Sequence, residues 1–188
     1  MTNHIPFSLP TPRLLLRDFV SDDWTAILAM SQEPTVVAFQ SWLRLNDENG
    51  ARRWVAEAIF HNGLRPRHSY NLAVTLKESG QVIGWLGWGK PSRPDRGDMD
   101  FGYALLPAFW GQGYMSEALR AALDFMFRVL KAGSVFGECD KINPASARVM
   151  EKAGLRLVSE WSDGDEESGE RVTMQRYATT RHEFLVGE

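Results

Sequence analysis

Two glycines one residue apart precede a helical pattern in the middle of the chain. The stretch FWGQGYMSEAL runs from Phe109 to Leu119 and places Gly111 and Gly113 directly before the apolar periodicity begins. Glycine at such a place allows either a tight turn or the close approach of a ligand to the backbone. The first N–H groups of a helix have no partner within the helix and form an anion site. The stretch therefore predicts either a plain turn or a site for a phosphate-bearing molecule.

The glycine turn does not match the two best-known phosphate-binding motifs. A Walker loop, G-x-x-x-x-G-K-[ST], needs a lysine that does not follow here. A dinucleotide fingerprint, G-x-G-x-x-G, needs glycine where Ser116 stands. The remaining interpretation is a short strand–turn–helix unit whose backbone amides, from about Gly111 to Met115, hold a pyrophosphate.

A second polar helix start lies further along the chain. The stretch NPASARVMEKAG begins at Asn143, with Pro144 at the first helical position and Ser146 close behind. Taken alone, Asn143 is a helix cap. Because helix starts that follow neighbouring strands meet at one edge of an α/β sheet, Asn143 and Ser146 are also predicted to line a ligand crevice.

The elements that must position these residues form one predicted α/β domain over residues 1–188. Their order is β, α, α, β, β, β, α, β, α, β, β, with helices on both faces of one sheet. The predicted strands are RLLLRDF (Arg13 to Phe19), YNLAVTL, QVIGWLGWG, GDMDFGYALL (Gly97 to Leu106), SVFGECD, LRLVSEW and RVTMQRYAT. The predicted helices are SDDWTAILAMSQ, NDENGARRWVAEAIFHN (Asn46 to Asn62), the helix after the glycine turn, which ends near Leu130, and PASARVMEKAG.

Composition argues against several functional classes. A net charge of −3 gives no support for nucleic acid as a partner. The single cysteine, Cys139, excludes an intrachain disulfide and suits a reducing compartment. No apolar run approaches the roughly 18 residues of a membrane span, and the N-terminal stretch lacks a signal-peptide core. The four histidines lack metal-ligand spacing. We expect a cytoplasmic protein with no membrane partner and no metal, either a monomer or a homodimer.

Three motifs together resemble those of the GNAT family of acyl-CoA N-acyltransferases. RLLLRDF, DFGYALLPAFWGQGYMSEAL and NPASARVMEKAGLR occur in this order and at these spacings, and the resemblance extends from about Arg13 to Tyr177. Within that family the chain is most similar to the ribosomal-protein-alanine N-acetyltransferase group. The resemblance implies a single GNAT-like α/β domain, with a mixed, mostly antiparallel sheet and helices on both faces.

The resemblance also implies acetyl-CoA as the donor. Its pyrophosphate would lie on the backbone from Trp110 to Met115, and its pantetheine arm beside the strand that ends at Leu105. Asn143 and Ser146 would contact the other side of the donor. The implied donor-binding residues are Leu105, Trp110, Gly111, Gln112, Gly113, Tyr114, Met115, Ser116, Asn143 and Ser146.

The expected reaction is attack by a primary amine on the thioester, the amine being a protein N-terminus or a small molecule. The amine must first lose a proton, and the oxyanion that forms needs a hydrogen-bond donor. Period two in the strand MDFGYAL places Asp100 and Gly102 on one face and Tyr103 on the other. Asp100 stands where relatives carry a glutamate base, Gly102 leaves room for the acetyl group, and Glu138 on the neighbouring strand is the reserve base.

Two departures from the family pattern affect the expected chemistry. Met150 stands where many relatives carry a tyrosine that reprotonates the thiolate, so Ser146, a water or bulk solvent must supply that proton. Together with the shorter carboxylate of Asp100, this leaves open a second class, an acyl-CoA-binding module without catalysis.

The stretch FQSW, Phe39 to Trp42, falls where relatives shape the acceptor site.

The acidic run SDGDEESGE, Ser162 to Glu170, is expected to form the exposed loop of the closing hairpin. In relatives that hairpin lies near the acceptor entrance, so the run predicts a positively charged acceptor. The alternative is a plain solvated turn. Its five carboxylates belong to Asp163, Asp165, Glu166, Glu167 and Glu170.

Overall fold

One eight-stranded sheet carries the helices of this chain in the computed structural model, which describes residues 6–45, 47–91, 98–164 and 171–187, without the side chain of Asp163. The strands are β1 (Ser8–Pro10), β2 (Leu14–Asp18), β3 (Ser69–Leu76), β4 (Val82–Gly89), β5 (Met99–Leu105), β6 (Ser134–Asp140), β7 (Arg156–Gly164) and β8 (Arg171–Thr180). The α-helices are α1 (Trp24–Ser31), α2 (Pro34–Val37), α3 (Glu48–Gly63), α4 (Tyr114–Arg128), α5 (Pro144–Ala153) and α6 (Arg181–Val186). Short 3-10 turns occupy Ser21–Asp23, Ser41–Leu43 and Pro107–Phe109.

The sheet has one parallel contact, between β5 and β6, in the order β1-β2-β3-β4-β5-β6-β8-β7. The other neighbouring strands run antiparallel. β5 and β6 pair only where Met99 meets Val135 and Asp100 meets Phe136. Beyond Asp100 the two strands are no longer hydrogen-bonded to each other, which opens a gap in the middle of the sheet.

The register of β5 against β4 determines which backbone groups face this gap. The N–H of Leu106 donates to the carbonyl of Ile83 at 2.9 Å, so Leu106 belongs to a hydrogen-bonded antiparallel pair. Such pairs alternate along an antiparallel ladder. The residues Phe101, Tyr103 and Leu105 therefore turn their N–H and C=O groups away from β4 and toward the gap.

Two hydrophobic cores form, one on each face of the sheet. On the first face, the apolar stripe of α4 is fully buried at Leu119, Leu123 and Phe127, with α5 and α6 packed beside it. On the second face, α1, α2 and α3 cover a core that includes Trp85 and Ala104. Trp85 and Trp88, three residues apart on β4, enter opposite cores, as alternation along a strand requires.

The predicted fold class and the order of the predicted elements are confirmed, with three short elements added. β1 lies before Arg13, where no strand was predicted because prolines flank it, but an edge strand tolerates proline. α2 begins at a proline, and α6 begins with a capping box formed by Thr180 and Glu183. Elements this short carry too few residues for their periodicity to be recognised.

Some predicted boundaries move by a few residues. The first helix was expected from Ser21, where the structure has a 3-10 turn before α1. Asn46 and Gly97, the expected first residues of a helix and a strand, lie outside the described residues. In the part of the chain that the structure describes, no helix combines the length and apolarity needed to cross a bilayer.

Candidate active site

A cleft of about 430 Å³ opens where β5 and β6 part. Its walls are the C-terminal end of β5, the turn that leads into α4, the start of α5 and the region around α2. Nearly all residues expected to bind the donor line it: Leu105, Trp110, Gly111, Gly113, Tyr114, Met115, Ser116, Asn143 and Ser146. The geometry thus brings two helix N-termini and the open edge of β5 to one place.

The glycine turn adopts a conformation that side chains rarely allow. Gly111 and Gly113 have φ of 75° and 79°, in the left-handed region. Gly113 is the residue before α4, and no side chain caps the first N–H groups of this helix. The indole N–H of Trp110 donates to the carbonyl of Leu105 at 2.7 Å, which holds the turn against the end of β5.

Gln112 is expected in the donor site but does not line the cleft. Its carbonyl accepts a hydrogen bond from the Arg13 guanidinium at 3.1 Å, and its side-chain amide donates to the carbonyl of Ala108 at 3.0 Å. The turn therefore directs this residue away from the cleft, while its glycine neighbours face inward.

At the second helix start, both interpretations of Asn143 hold. Its side-chain oxygen accepts from the N–H of Ser146 at 3.1 Å, which caps α5, and Asn143 also lines the cleft. The hydroxyl oxygens of Ser146 and Tyr103 lie 2.8 Å apart, and the Tyr103 hydroxyl also donates to the carbonyl of Ser146 at 3.1 Å. Burial raises the pKa of Tyr103, so the phenol stays protonated at neutral pH.

Asp100 lies on the opposite face of β5 from Tyr103, at the last residue that pairs with β6. Burial raises the pKa of Asp100, its own backbone N–H opposes that effect, and the nearby carboxylate of Glu138 adds to it. Asp100 does not line either of the two cavities described here. A methyl group on Gly102 would lie 3.2 Å from the Trp85 ring, so this glycine makes room for the indole rather than for an acetyl group.

A smaller cavity of about 190 Å³ adjoins the cleft and shares Phe39, Gln40, Asn143 and Ser146 with it. Glu138 and Cys139 line this cavity. One Glu138 oxygen accepts from both Nε and Nη2 of Arg176, at 2.9 and 2.7 Å.

Cys139 is 6% exposed, and burial raises its pKa to about 11. At neutral pH this side chain is therefore a thiol rather than a nucleophilic thiolate.

Sequence reasoning gave Tyr103 no role, and it included Gln40 only as part of the stretch FQSW. The side-chain amide of Gln40 donates to the Tyr103 carbonyl at 3.1 Å, on the open edge of β5, and Gln40 lines both cavities. The pairing of Tyr103 with Ser146 joins positions on a strand and a distant helix, and local periodicity carries no signal for it. Within the stretch FQSW, Phe39 reaches both cavities, whereas Trp42 packs against Trp54 and Trp85.

Most of the acidic run lies outside the described residues. Its first residues, Ser162 to Gly164, belong to β7, and residues 165–170 and the Asp163 side chain are not described. The expectation that the run steers the acceptor stays a prediction.

The chain is similar in sequence to known proteins of one family. A family model described as an acetyltransferase (GNAT) domain matches residues 13–156. The uncharacterized N-acetyltransferase YnaD of Bacillus subtilis (strain 168) is 26% identical over 148 residues, which are 79% of this chain and 82% of that protein.

Solved structures share the fold. An acetyltransferase (GNAT family) from Bacillus anthracis superposes with a TM-score of 0.81 at 23% identity, over 94% of this chain and 99% of the other. The ribosomal L7/L12 alpha-N-protein acetyltransferase RimL, solved in complex with coenzyme A, gives a TM-score of 0.78 at 18% identity, over 93% and 98% of the two chains.

Proposed function

Because this chain belongs to the GNAT acetyltransferase family, we propose that it moves an acetyl group from acetyl-CoA to a primary amine by direct attack. One observation carries the proposal: beyond Asp100 the edge of β5 is not paired with β6, and it faces a cleft into which two helix starts also open. The carbonyls of Tyr103 and Leu105 on this edge already accept from the side chains of Gln40 and Trp110, so an arm would use the second lone pairs of these carbonyls or the N–H groups. An extended arm with amide groups can pair with such an edge, and an anionic pyrophosphate can lie on a helix N-terminus. Acetyl-CoA has both parts.

The donor would lie across the cleft in one direction. The backbone amides from Gly111 to Met115, in and directly after the left-handed glycine turn, would hold the pyrophosphate. The N–H of Trp110, expected to take part, already donates to the carbonyl of Pro107 at 3.1 Å. The pantetheine arm would run along the edge of Phe101, Tyr103 and Leu105 toward the point where β5 and β6 meet. The thioester would then lie close to Ser146 and to the smaller cavity.

The two faces of β5 suit the two proton transfers of the reaction. A neutral amine attacks the thioester carbon, the C–S bond breaks, the amine releases one proton and the departing thiolate takes one up. We assign the first proton to Asp100, whose raised pKa makes it a stronger base than an ordinary aspartate. Because Asp100 lines neither cavity, it would take this proton through a bridging water. We assign the second to Ser146, whose hydroxyl lies 2.8 Å from that of Tyr103, and a solvent proton then restores the serine hydroxyl. Glu138 remains the reserve base, but it is already bonded to Arg176.

The acceptor would approach through the smaller cavity. Glu138 and Asp140 line this cavity together with the aromatic ring of Phe39. The charge of Glu138 is offset by Arg176, so the carboxylate of Asp140 and the aromatic residue Phe39 are the features of this cavity that favour a positively charged group. We therefore propose a cationic amine as the acceptor, either a protein N-terminus or a small molecule.

Coenzyme A release from acetyl-CoA, measured across a panel of amines, tests this function. The panel should contain N-terminal peptides, polyamines, aminoglycosides and neutral amines of similar size, and calorimetry should measure coenzyme A binding in parallel. We expect tight coenzyme A binding and turnover with cationic amines. Coenzyme A binding without turnover on any amine would instead indicate a binding module, and turnover with neutral amines alone would contradict the proposed acceptor class.

A further inference from the structure

A half-buried acidic side chain lies in the first turn of α4, beside the proposed pyrophosphate site. The carboxylate of Glu117 is 16% exposed. One oxygen accepts from the Thr11 hydroxyl at 2.6 Å and from the backbone N–H of Arg13 at 2.8 Å, and the other accepts from Nε of Arg13 at 2.6 Å. Burial alone would raise the pKa of Glu117, but these hydrogen bonds and the guanidinium charge outweigh burial and lower the pKa. The residue is therefore ionised at neutral pH.

The same arginine reaches the turn that precedes α4. Nη1 of Arg13 donates to the Gln112 carbonyl at 3.1 Å, and the guanidinium lies 4.4 Å from the centre of the Tyr114 ring. Nη2 lies 3.6 Å from the position that a Cβ would occupy on Gly113. One side chain, from the residue directly before β2, thus contacts three consecutive residues of the turn.

These contacts bear on how the turn receives an anion. An ionised glutamate in the first turn stabilises a helix through the helix dipole, but it repels a phosphate at the same terminus. A backbone carbonyl that faced the phosphate would repel it too. The guanidinium counters both effects, because it neutralises Glu117 and binds the Gln112 carbonyl outside the cleft.

We propose that Arg13 is a positioning residue for the donor: it holds the Gln112 carbonyl away from the cleft and neutralises Glu117, so that the turn presents only N–H groups to the pyrophosphate. The proposal rests on the proposed function, since it takes the turn to bind coenzyme A. Arg13, the first residue of the RLLLRDF strand motif, would then also act in donor binding.

The substitution Arg13→Gln tests it, with calorimetry for coenzyme A binding and steady-state kinetics for turnover. We expect Kd for coenzyme A and KM for acetyl-CoA to rise about ten-fold, while kcat at saturating acetyl-CoA and KM for the amine stay unchanged. Arg128→Gln is the matched control, because Arg128 is ion-paired with Asp124 on the same helix, at the end remote from the turn. The control should leave all four constants at their wild-type values.

The double variant Arg13→Gln/Glu117→Gln separates charge from folding effects. In R13Q the Glu117 carboxylate has lost its arginine partner, so removing that carboxylate should restore part of the affinity for coenzyme A. If the ion pair has only a structural role, Kd for coenzyme A in the double variant should be no lower than in R13Q. If R13Q does not fold, Arg13→Lys carries the test, because lysine keeps the charge but lacks the planar fork that contacts both Glu117 and Gln112. An unchanged Kd for coenzyme A in that variant would overturn the proposal.

The outcomes keep the two hypotheses apart. A wild-type protein that binds no coenzyme A would overturn the proposed function itself. A wild-type protein that binds coenzyme A, together with an R13Q variant that binds it equally well, would overturn only the positioning by Arg13.

Discussion

At the scale of single residues, the candidate site has a carboxylate on one face of β5 and a pair of hydroxyls on the other. Asp100 lies on the face of β5 that packs against Trp85. Tyr103 lies on the opposite face, where its hydroxyl meets that of Ser146 in α5. The raised pKa of Asp100 makes it a better proton acceptor than an ordinary aspartate, whereas the phenol of Tyr103 stays protonated and contacts the Ser146 hydroxyl.

Asp100→Asn should lower kcat/KM for the amine by about a hundred-fold, because general-base catalysis contributes roughly 10²–10⁴. The wild-type rate should rise with pH through the raised pKa of Asp100, and this rise should be missing in the variant. A pH–rate profile of both proteins measures this. If Glu138→Gln abolishes the rise instead, Glu138 is the base.

The substitution Asp100→Asn, although it lowers activity, should raise the free energy of unfolding at neutral pH. Because the pKa of Asp100 is higher in the folded protein than in the unfolded chain, ionisation costs stability. The cost is absent below the ordinary aspartate pKa of about 4 and complete above the raised pKa. Chemical denaturation should therefore find D100N more stable than the wild type at pH 7 and equally stable at pH 3. Glu138→Gln should lose stability at pH 7, because Arg176, only 20% exposed, loses its ion-pair partner.

Ser146→Ala should lower kcat while KM for acetyl-CoA stays close to the wild-type value, because the hydroxyl acts when the thiolate leaves. Tyr103→Phe should have a smaller effect of the same kind, since it removes only the partner of that hydroxyl. Tyr177→Phe is the matched control, as this buried phenol bonds to Gln175 and lines neither cavity. A full kcat in S146A would assign the proton to water.

At the scale of elements, the function depends on how two helices begin. α5 begins with a side-chain cap from Asn143, so one of its first N–H groups is already satisfied. α4 begins after Gly113 without such a cap. Under the proposed function, this difference makes the turn before α4 the better candidate for the pyrophosphate, since the first amides of α4 keep their hydrogen-bonding capacity for a ligand.

Gly113→Val should raise Kd for coenzyme A strongly, because a side chain would block the close approach of the pyrophosphate to the turn. The left-handed φ of 79° adds a strain of about 1–2 kcal/mol. Gly80→Val is the matched control, because Gly80 has a φ of 72° in the turn between β3 and β4, remote from the cleft. Calorimetry should find normal coenzyme A binding in G80V at a similar loss of stability. Normal binding in G113V would contradict the assignment of the turn.

At the scale of the whole molecule, the two hydrophobic cores leave the sheet open at one place only among the described strand pairs, between β5 and β6. The donor side of this opening carries helix N-termini, which attract anions. The smaller cavity on the other side is lined by Asp140 and by Glu138, which is paired with Arg176. Under the proposed function, an anionic donor and a cationic acceptor would approach the gap from opposite directions.

Neutralising the acidic run 163–170, by replacing its five carboxylates with amides, should raise KM for a cationic amine at low salt. At physiological ionic strength the screening length falls to about 8 Å, so the difference from the wild type should shrink there. KM should be measured at several salt concentrations, with acetyl-CoA saturating. An amine KM that responds neither to the substitutions nor to salt would identify the run as a solvated turn.

The sequence by itself determined the local features of this protein. Period-two and helical patterns predicted the order of the long strands and helices, because each pattern is set by the geometry of the element in which it occurs. The glycines at 111 and 113 and the cap at Asn143 predicted two helix starts, because backbone conformation and capping depend on neighbouring residues alone.

Only the tertiary structure decided which residues meet. The contact of Arg13 with Glu117 joins positions 104 residues apart, and that of Tyr103 with Ser146 joins positions 43 apart. Asp100 could be assigned to a face from its spacing, but its raised pKa arises from burial and from a carboxylate on another strand. The raised pKa and these long-range contacts depend on where β5 and β6 separate and on which side chains pack around the gap. They involve segments that are distant in the sequence, so no local pattern along the chain predicts them.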